Sequence, residues 1–447
     1  MDSSYTPSVN LSKEKRLAAH NAAVSAASEN PVLSPETGRP VSKLTYARFG
    51  AGFLLFGVLW MSGLCVVSAV ILPQHLKEIN AGSPEALMGV INACTAVASL
   101  LANVIFGNFS DRSRSRLGRR TPWIIAGGFL GGVTLFLTGI MTNPVLLTIC
   151  YCLSMVGLNM MIAPLVAVIS DRVPQGTRGT MSAFYGGGSA IGAPIGTMLG
   201  SLFITNMFPG LIVAGVLMAL SGVVSVAIMP REESADYLPQ SEGGLKDVLV
   251  SFRPPKFGDN HDFYKAFGGR LCMLLSYQMI SAYQLYIVQD YVGMGVQESA
   301  VVVSVMSTIT LIVGLIGSLG GGPISDLIGR RKVPVVVASL CFATGVAMPL
   351  VMPSAMGMYL FAGIAGLGYA VYGSVDQALN VDVLSSKEEA GKDLGILNLA
   401  TTLGQMAGPI ITSSVVVATG TYMPAFFISI AFAVLGCVFI MAIKAVK

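Results

Sequence analysis

The chain has 447 residues, of which 53% are hydrophobic and only 11% charged, and its mean hydropathy is +0.71. Soluble domains carry about 25% charged residues, so an ordinary water-soluble protein is excluded. The net charge of +4 does not describe a nucleic-acid surface either, because the basic residues are confined to a few connections between apolar runs.

Residues 1–48 are polar, rich in Ala, Ser and Pro, and lack the apolar core of a signal peptide. They are expected to form a disordered tail, in which Lys13–Val24 could make a short helix. Apolar runs long enough to cross a bilayer at 1.5 Å rise per residue then follow at 50–72, 86–107, 122–142, 145–169, 181–204 and 208–229. A Pro-, Gly- and charge-rich stretch at 231–266 reads as a linker, and further runs follow at 267–290, 299–322, 333–352, 357–381, 395–418 and 423–443. Alternating ten-residue strands of a barrel are absent, which leaves helices. The expectation is an all-α integral membrane protein of twelve transmembrane helices in two six-helix halves, at 49–230 and 267–447. With the N-terminus inside, 26 of the 27 Lys and Arg fall on the inner side, leaving Lys77 outside, so both termini are expected to be cytoplasmic.

The halves echo one another. Gly107, Asp111, Arg112, Gly118, Arg119 and Arg120 close the second run, and Gly322, Asp326, Gly329, Arg330 and Arg331 close the eighth. Gly107 and Gly322 are 215 residues apart, as are Pro194 and Pro409, while Asp171 and Asp382 are 211 apart after a four-residue insertion in the first loop. One register with compensating loop insertions points to parallel duplicated halves.

On these motifs the chain resembles the major facilitator superfamily over residues 49–447. The form SDRSRSRLGRRTPW of the first loop is similar to the glycoside-pentoside-hexuronide and sucrose-type branch. That resemblance implies a secondary transporter with a central site between two rocking halves, and a sugar as cargo. The carboxylates of Asp111, Asp326, Asp171 and Asp382, bridged by the neighbouring Arg residues, would hold an inner gate; the plainer alternative is that the loops only fix topology.

Polar side chains inside the runs are costly and face the bundle interior. Asn92 and Asn103 in the second run, Tyr277 and Gln284 in the seventh, Tyr369, Tyr372 and Asn380 in the tenth, and Asn398 and Gln405 in the eleventh are the candidate solute ligands. Amides, hydroxyls and rings suit a neutral polyhydroxylated solute; taken singly, such residues also serve as glue between helices. Asp376 stands well inside a span, where loss of water favours uptake of a proton. It is expected either to carry a coupling proton or to be a hydrogen-bonded structural group.

The acidic residues that melibiose-type sodium symporters carry in their second and fourth helices are missing here, which argues against sodium coupling of that design; H+ is the expected coupling ion, with Asp376 as its candidate carrier. The seven Cys lie in apolar runs without metal-ligand spacing, and no catalytic constellation or Walker lysine is present. The chain is therefore expected not to be an enzyme, to need no cofactor or metal, and to bind no nucleic acid. Its expected setting is the lipid bilayer of the plasma membrane, as a multi-pass monomer importing a small solute, a sugar or glycoside, with a proton. The alternative is a proton-driven exporter of drugs or metabolites, since GAPIG and GQMAGP loosely resemble an antiporter signature.

Overall fold

A computed structural model describes residues 13–79, 82–238, 260–383 and 390–444; the side chains at 326, 377, 378, 381, 382, 390–395 and 398 lie outside this description. The centre of the expected linker, 239–259, lies outside it as well. Helix α1 (Lys13–Glu29) precedes a long α2, Lys43–Glu78, which passes through a π-helical turn at Val66–Ile71. Then come α3 (Pro84–Arg112), α4 (Thr121–Ile140), α5 (Pro144–Arg172), α6 (Arg178–Leu202) and α7 (Met207–Ile228). The second half holds α8 (His261–Ser281), α9 (Gln284–Tyr291), α10 (Val296–Ile328), α11 (Lys332–Val351), α12 (Ala355–Asp382), α13 (Ala390–Thr419) and α14 (Met423–Met441).

Local sequence explains the ends. Asn143 caps α5 by accepting from the N–H groups of Val145 and Leu146, and Pro sits in the first turn of α3, α4, α5 and α14, where no N–H is missed. The expected seventh run is not one straight helix: α8 and α9 meet at a bend of 48°. Among the described residues nine helices are long and apolar enough to cross a membrane, or ten if α8 and α9 form one span. Of the twelve expected, α6 and α13 fall short. Their Gly, Ser, Thr and Pro residues dilute the hydropathy because those two helices meet neighbouring backbones rather than long side chains.

The packing repeats. Helix α2 lies against α6 and α7, α4 against α5 and α7, and α3 against α5; in the second half α8 lies against α13 and α14, α11 against α12 and α14, and α10 against α12. Between halves, α3 meets α13 and α6 meets α10. Small residues allow the closest of these approaches. Along α6, a side chain at Gly188, Gly192 or Gly196 would collide with the backbone of Leu54, Val58 or Ser62 of α2, and Ser62 Oγ donates to Gly192 O at 3.0 Å. Gly404 and Gly408 of α13 are pressed in the same way onto Leu274 and Gln278 of α8.

The start of the chain differs from the disordered tail expected over 1–48. From Lys13 onward it docks on the end of the first half that carries the Gly118–Arg120 loop, called here the motif face. Arg16 pairs with Asp236 at 3.0 Å and lies over the Tyr237 ring, Glu36 pairs with Arg172 at 2.7 Å, and Ser34 Oγ donates to Arg172 O. Polar composition suggested disorder, but these partners come from 172 and 231–238, and a local reading of 1–48 does not contain them.

His20 is half-buried in edge-on contact with Tyr237. Burial and the charge of Arg119 hold it below its ordinary 6.5, against the pull of Glu36 and Asp171. A group docked in its neutral form favours docking above that value and opposes it as pH falls below. Glu233, raised by burial and by Glu36, acts in the opposite sense. Tryptic cleavage at Lys15 and Arg16 is therefore expected to quicken from about pH 7.5 to about pH 5.5 relative to a His20→Gln variant run in parallel. Identical ratios at both pH values would remove His20 from the docking balance.

Candidate functional site

Two clusters and a seam hold the polar chemistry. The first cluster is the motif loop. Arg120 is buried, with its Nε donating to Asp171 Oδ2 at 2.9 Å, its Nη1 to Ser110 Oγ, and its Nη2 paired with Asp111. Arg119 Nη2 reaches the same Asp171 oxygen at 2.6 Å. Asp111 and Asp171, placed at helix ends by sequence, thus share the Arg120 guanidinium, and Asp171 holds Arg119 as well. Glu232, which sequence reading passed over, closes the cluster from the other side. Its carboxylate accepts from the N–H groups of Arg119, Arg120 and Thr121 and from the Thr121 hydroxyl, all between 2.8 and 3.0 Å. This caps the positive N-terminal end of α4. Gly118 stands at φ +102, and a Cβ there would overlap the Glu232 carboxylate.

Other expected gate residues are less engaged. Gly107 is in open contact and Arg112 is exposed. In the second copy, Gly322 has open space around it, Gly329 takes φ +64, Arg330 is exposed, and Arg331 Nη1 donates to Ser325 Oγ at 3.3 Å. The side chains of Asp326 and Asp382 fall outside the described set, as does that of Asn398.

The second cluster lies inside the second half, where α8, α12 and α13 meet. Asp376 is 3% exposed and Arg270 6%, and Arg270 Nη1 donates to Asp376 Oδ2 at 2.8 Å. The other face of the guanidinium donates to Thr401 Oγ1 through Nε (3.3 Å) and Nη2 (3.2 Å). Tyr372 Oη donates to Asp376 Oδ1 at 3.0 Å and Asn380 Nδ2 to Oδ2 at 2.9 Å, each one helical turn away on α12. Asn380 Oδ1 is buried and accepts nothing. Seven residues from Arg270 along α8 and from Asp376 along α12, the rings of Tyr277 and Tyr369 stack with centroids 3.7 Å apart and planes 7° from parallel.

The structure therefore brings together Tyr277, Tyr369, Tyr372, Asp376 and Asn380. It adds Arg270, which was not among the expected site residues. The missed signal was a depth: Arg270 lies nine residues into α8, and a carboxylate buried within a helix bundle needs a counter-charge. The remaining candidates lie apart. Asn92 Nδ2 donates to its own helix at Met88 O, Asn103 Nδ2 to Asn159 Oδ1 of α5 at 3.2 Å, Gln284 is half-buried at the start of α9, and Gln405 is exposed on α13. Among the described residues no group of His, Cys, Asp or Glu is arranged to hold a metal.

The seam joins the halves at the end opposite the motif face. Lys77 Nζ contacts both carboxylate oxygens of Asp290 at 2.6 and 2.7 Å, and Gln289 Nε2 donates to Gln74 Oε1 at 2.9 Å. Tyr286 Oη donates to Pro73 O and Tyr283 Oη to Glu85 O. His75 is buried with Nε2 against Met141 O, and Asp290 is ion-paired across the halves. Among the described residues, the side-chain hydrogen bonds that cross between halves all lie toward this end.

The sequence of residues 48–317 and again 266–446 matches the family model of the Major Facilitator Superfamily. The chain belongs to that superfamily. It is similar to the Probable galactarate/D-glucarate transporter GudP of Bacillus subtilis, 26% identical over 57% of this chain and 60% of that one. It is also similar to the sucrose transport protein SUC4 of Arabidopsis thaliana, 31% identical over 26% of this chain and 21% of that one. The curated relatives are matched over 60% of their length or less. A solved D-xylose-proton symporter shares the fold, with a TM-score of 0.65 at 13% identity, covering 89% of this chain and 98% of that one. The protein is an all-helical chain of the superfamily, with several helices long and apolar enough to cross a membrane.

Proposed function

We propose that this chain is a secondary active transporter that imports a sugar or glycoside with a proton by alternating access. In this reading twelve spans form two six-helix halves, the motif face and both termini are cytoplasmic, and the protein works as a monomer in the plasma membrane. The observation that carries it is the one-sided seam. Among the described residues, side-chain hydrogen bonds between halves concentrate at the Lys77–Asp290 end, which fits a carrier closed outward and open inward. Exposed or half-exposed pairs of this kind contribute about 0.2–1 kcal/mol each, so the seam is held weakly enough to part in each cycle. The Asp111–Arg120–Asp171–Arg119 cluster would engage the second half when the motif face closes. Sucrose and D-xylose in the names of the relatives favour a sugar, and the Tyr277–Tyr369 rings offer a flat apolar face for one. Asp376 is the candidate proton carrier because it is a carboxylate buried within α12.

The test is uptake of labelled sugars into vesicles under an imposed proton gradient. A Lys77→Cys/Asp290→Cys variant, cross-linked by a short bifunctional thiol reagent, should lose uptake and leave the parent protein unaffected by the same reagent. Full uptake by the cross-linked carrier would show that this seam does not open. No response to any sugar would end the cargo assignment.

A further inference from the structure

We infer that the docked N-terminal segment, residues 13–41, is a brake on transport that holds the motif face open until it lets go. It rests on the alternating-access reading above and adds a control to it. The first half meets the second mainly through α3 and α6. The motif-face ends of both helices are tied into the docked assembly. Asp111, in the last turn of α3, pairs with Arg120, whose backbone N–H is held by Glu232. Just beyond α3, Arg114 Nε donates to Leu238 O at 2.9 Å, and the Ala235 N–H donates to Ser115 O at 3.1 Å. Residues 232–238 thus lie as a strap across the end of α3. The approach to α6 is held through the connection before it. There the Gly176 N–H donates to Pro31 O at 3.0 Å, and Arg172, the last residue of α5, pairs with Glu36 and donates to Arg231 O at 2.9 Å.

The N-terminal segment joins these two ties. Arg16 pairs with Asp236 and donates to Ser234 O at 3.4 Å, while Glu36 accepts from the Glu233 N–H at 3.3 Å as well as from Arg172. One segment therefore grips both the strap and the α5–α6 connection. It is also folded on itself: Gly38 takes φ +64, and an ideal Cβ there would stand 3.0 Å from the Ala23 Cα of α1.

For the motif face to close, the second half must reach these helix ends, α13 moving toward the end of α3 and α10 toward that of α6. The strap and the segment stand there first, and they occupy the side chains that closure would use. The partners of the segment named above belong to the first half and to 231–238, so the docked state gives the second half nothing to bind. A contact made in one state and lost in the other shifts the equilibrium by its own free energy. The Arg16–Asp236 pair is partly exposed, so it is a weak link from which the segment can be released without unfolding the bundle.

Full-length protein in proteoliposomes tests this with two readouts. One is the initial rate of proton-driven uptake of labelled sugars. The other is deuterium exchange at the seam, residues 73–79 and 286–291, which needs no cargo and rises when the seam parts as the motif face closes. An Arg16→Cys/Asp236→Cys variant, joined by a short bis-methanethiosulfonate reagent, keeps the segment docked; the parent treated with the same reagent controls for the native Cys. Joining should lower uptake about tenfold or more and slow seam exchange. Arg16→Glu, which sets two carboxylates against each other, should raise both by about threefold, and Arg16→Glu/Asp236→Arg should return both to the parent values. A joined protein whose seam exchanges like the parent's, or an Arg16→Glu variant slower than the parent, would overturn the brake and leave the importer reading standing. Seam exchange that shifts as expected while no sugar is taken up would support the brake and end the sugar-import reading. Unchanged exchange in every variant, with no uptake, would sink both.

Discussion

Replacing Asp376 with leucine should destabilise the protein by about 3–5 kcal/mol, because it breaks the buried Arg270–Asp376 ion pair from one side. The two residues are 3% and 6% exposed, so water does little to screen the loss. Arg270→Met alone should be similarly harmful, leaving a buried carboxylate held only by Tyr372 and Asn380. The double variant, Arg270→Met with Asp376→Leu, removes both charges and should recover most of the deficit. Unfolding midpoints of the purified variants in detergent read this directly. Function should follow a different order: the double variant is expected to be folded and inactive. A double variant as unstable as either single one would mean that shape, and not charge, is what the pair supplies.

Gly57→Leu should prevent α2 from closing on α6. An ideal Cβ at Gly57 falls 2.6 Å from Tyr185 O and 2.7 Å from Ser189 N, both backbone atoms that cannot rotate away. Overpacking typically costs about 1–3 kcal/mol, occasionally more. Here the upper end is expected, because the same crossing is used again at Gly188, Gly192 and Gly196 and the helices must separate along its length. The control is Gly186→Leu on α6, where nothing lies within 4 Å. Yield and monodispersity on size exclusion should fall for the first and hold for the second. Equal behaviour would show that the α2–α6 contact tolerates a wider spacing.

How much was legible in the sequence varies by element. Long apolar runs announced their helices because the bilayer demands a fixed length, and the duplicated motif announced the repeated packing. Helices α6 and α13 were harder, since residues chosen for close approach are poor in hydropathy. The Asp376 cluster was half visible: Tyr369, Tyr372, Asp376 and Asn380 sit at helical spacing on one element, whereas Arg270 belongs to another helix 106 residues away. Asn103 looked like a solute ligand because no sequence rule brings Asn159 of α5 to within 3.2 Å of it. The docked N-terminal segment was missed for the same reason. Asp236 lies 220 residues beyond Arg16, and Arg172 lies 136 beyond Glu36.

That docking has a consequence for biosynthesis. Glu232, which caps α4, follows α7 in the chain, and Asp236 and Tyr237, which hold Arg16, follow it closely. The segment translated first and the N-terminus of α4 therefore wait for residues translated only after the whole first half has been inserted. Until the ribosome passes that point, Arg119 and Arg120 have Asp171 but no Glu232 at their backbone N–H groups, and the N-terminal segment has no Asp236 to bind. A nascent chain stalled just before residue 231 should thus expose both, whereas one extended past 238 should protect them together. Completion of the first half is marked chemically at its own last residues, before α8 emerges.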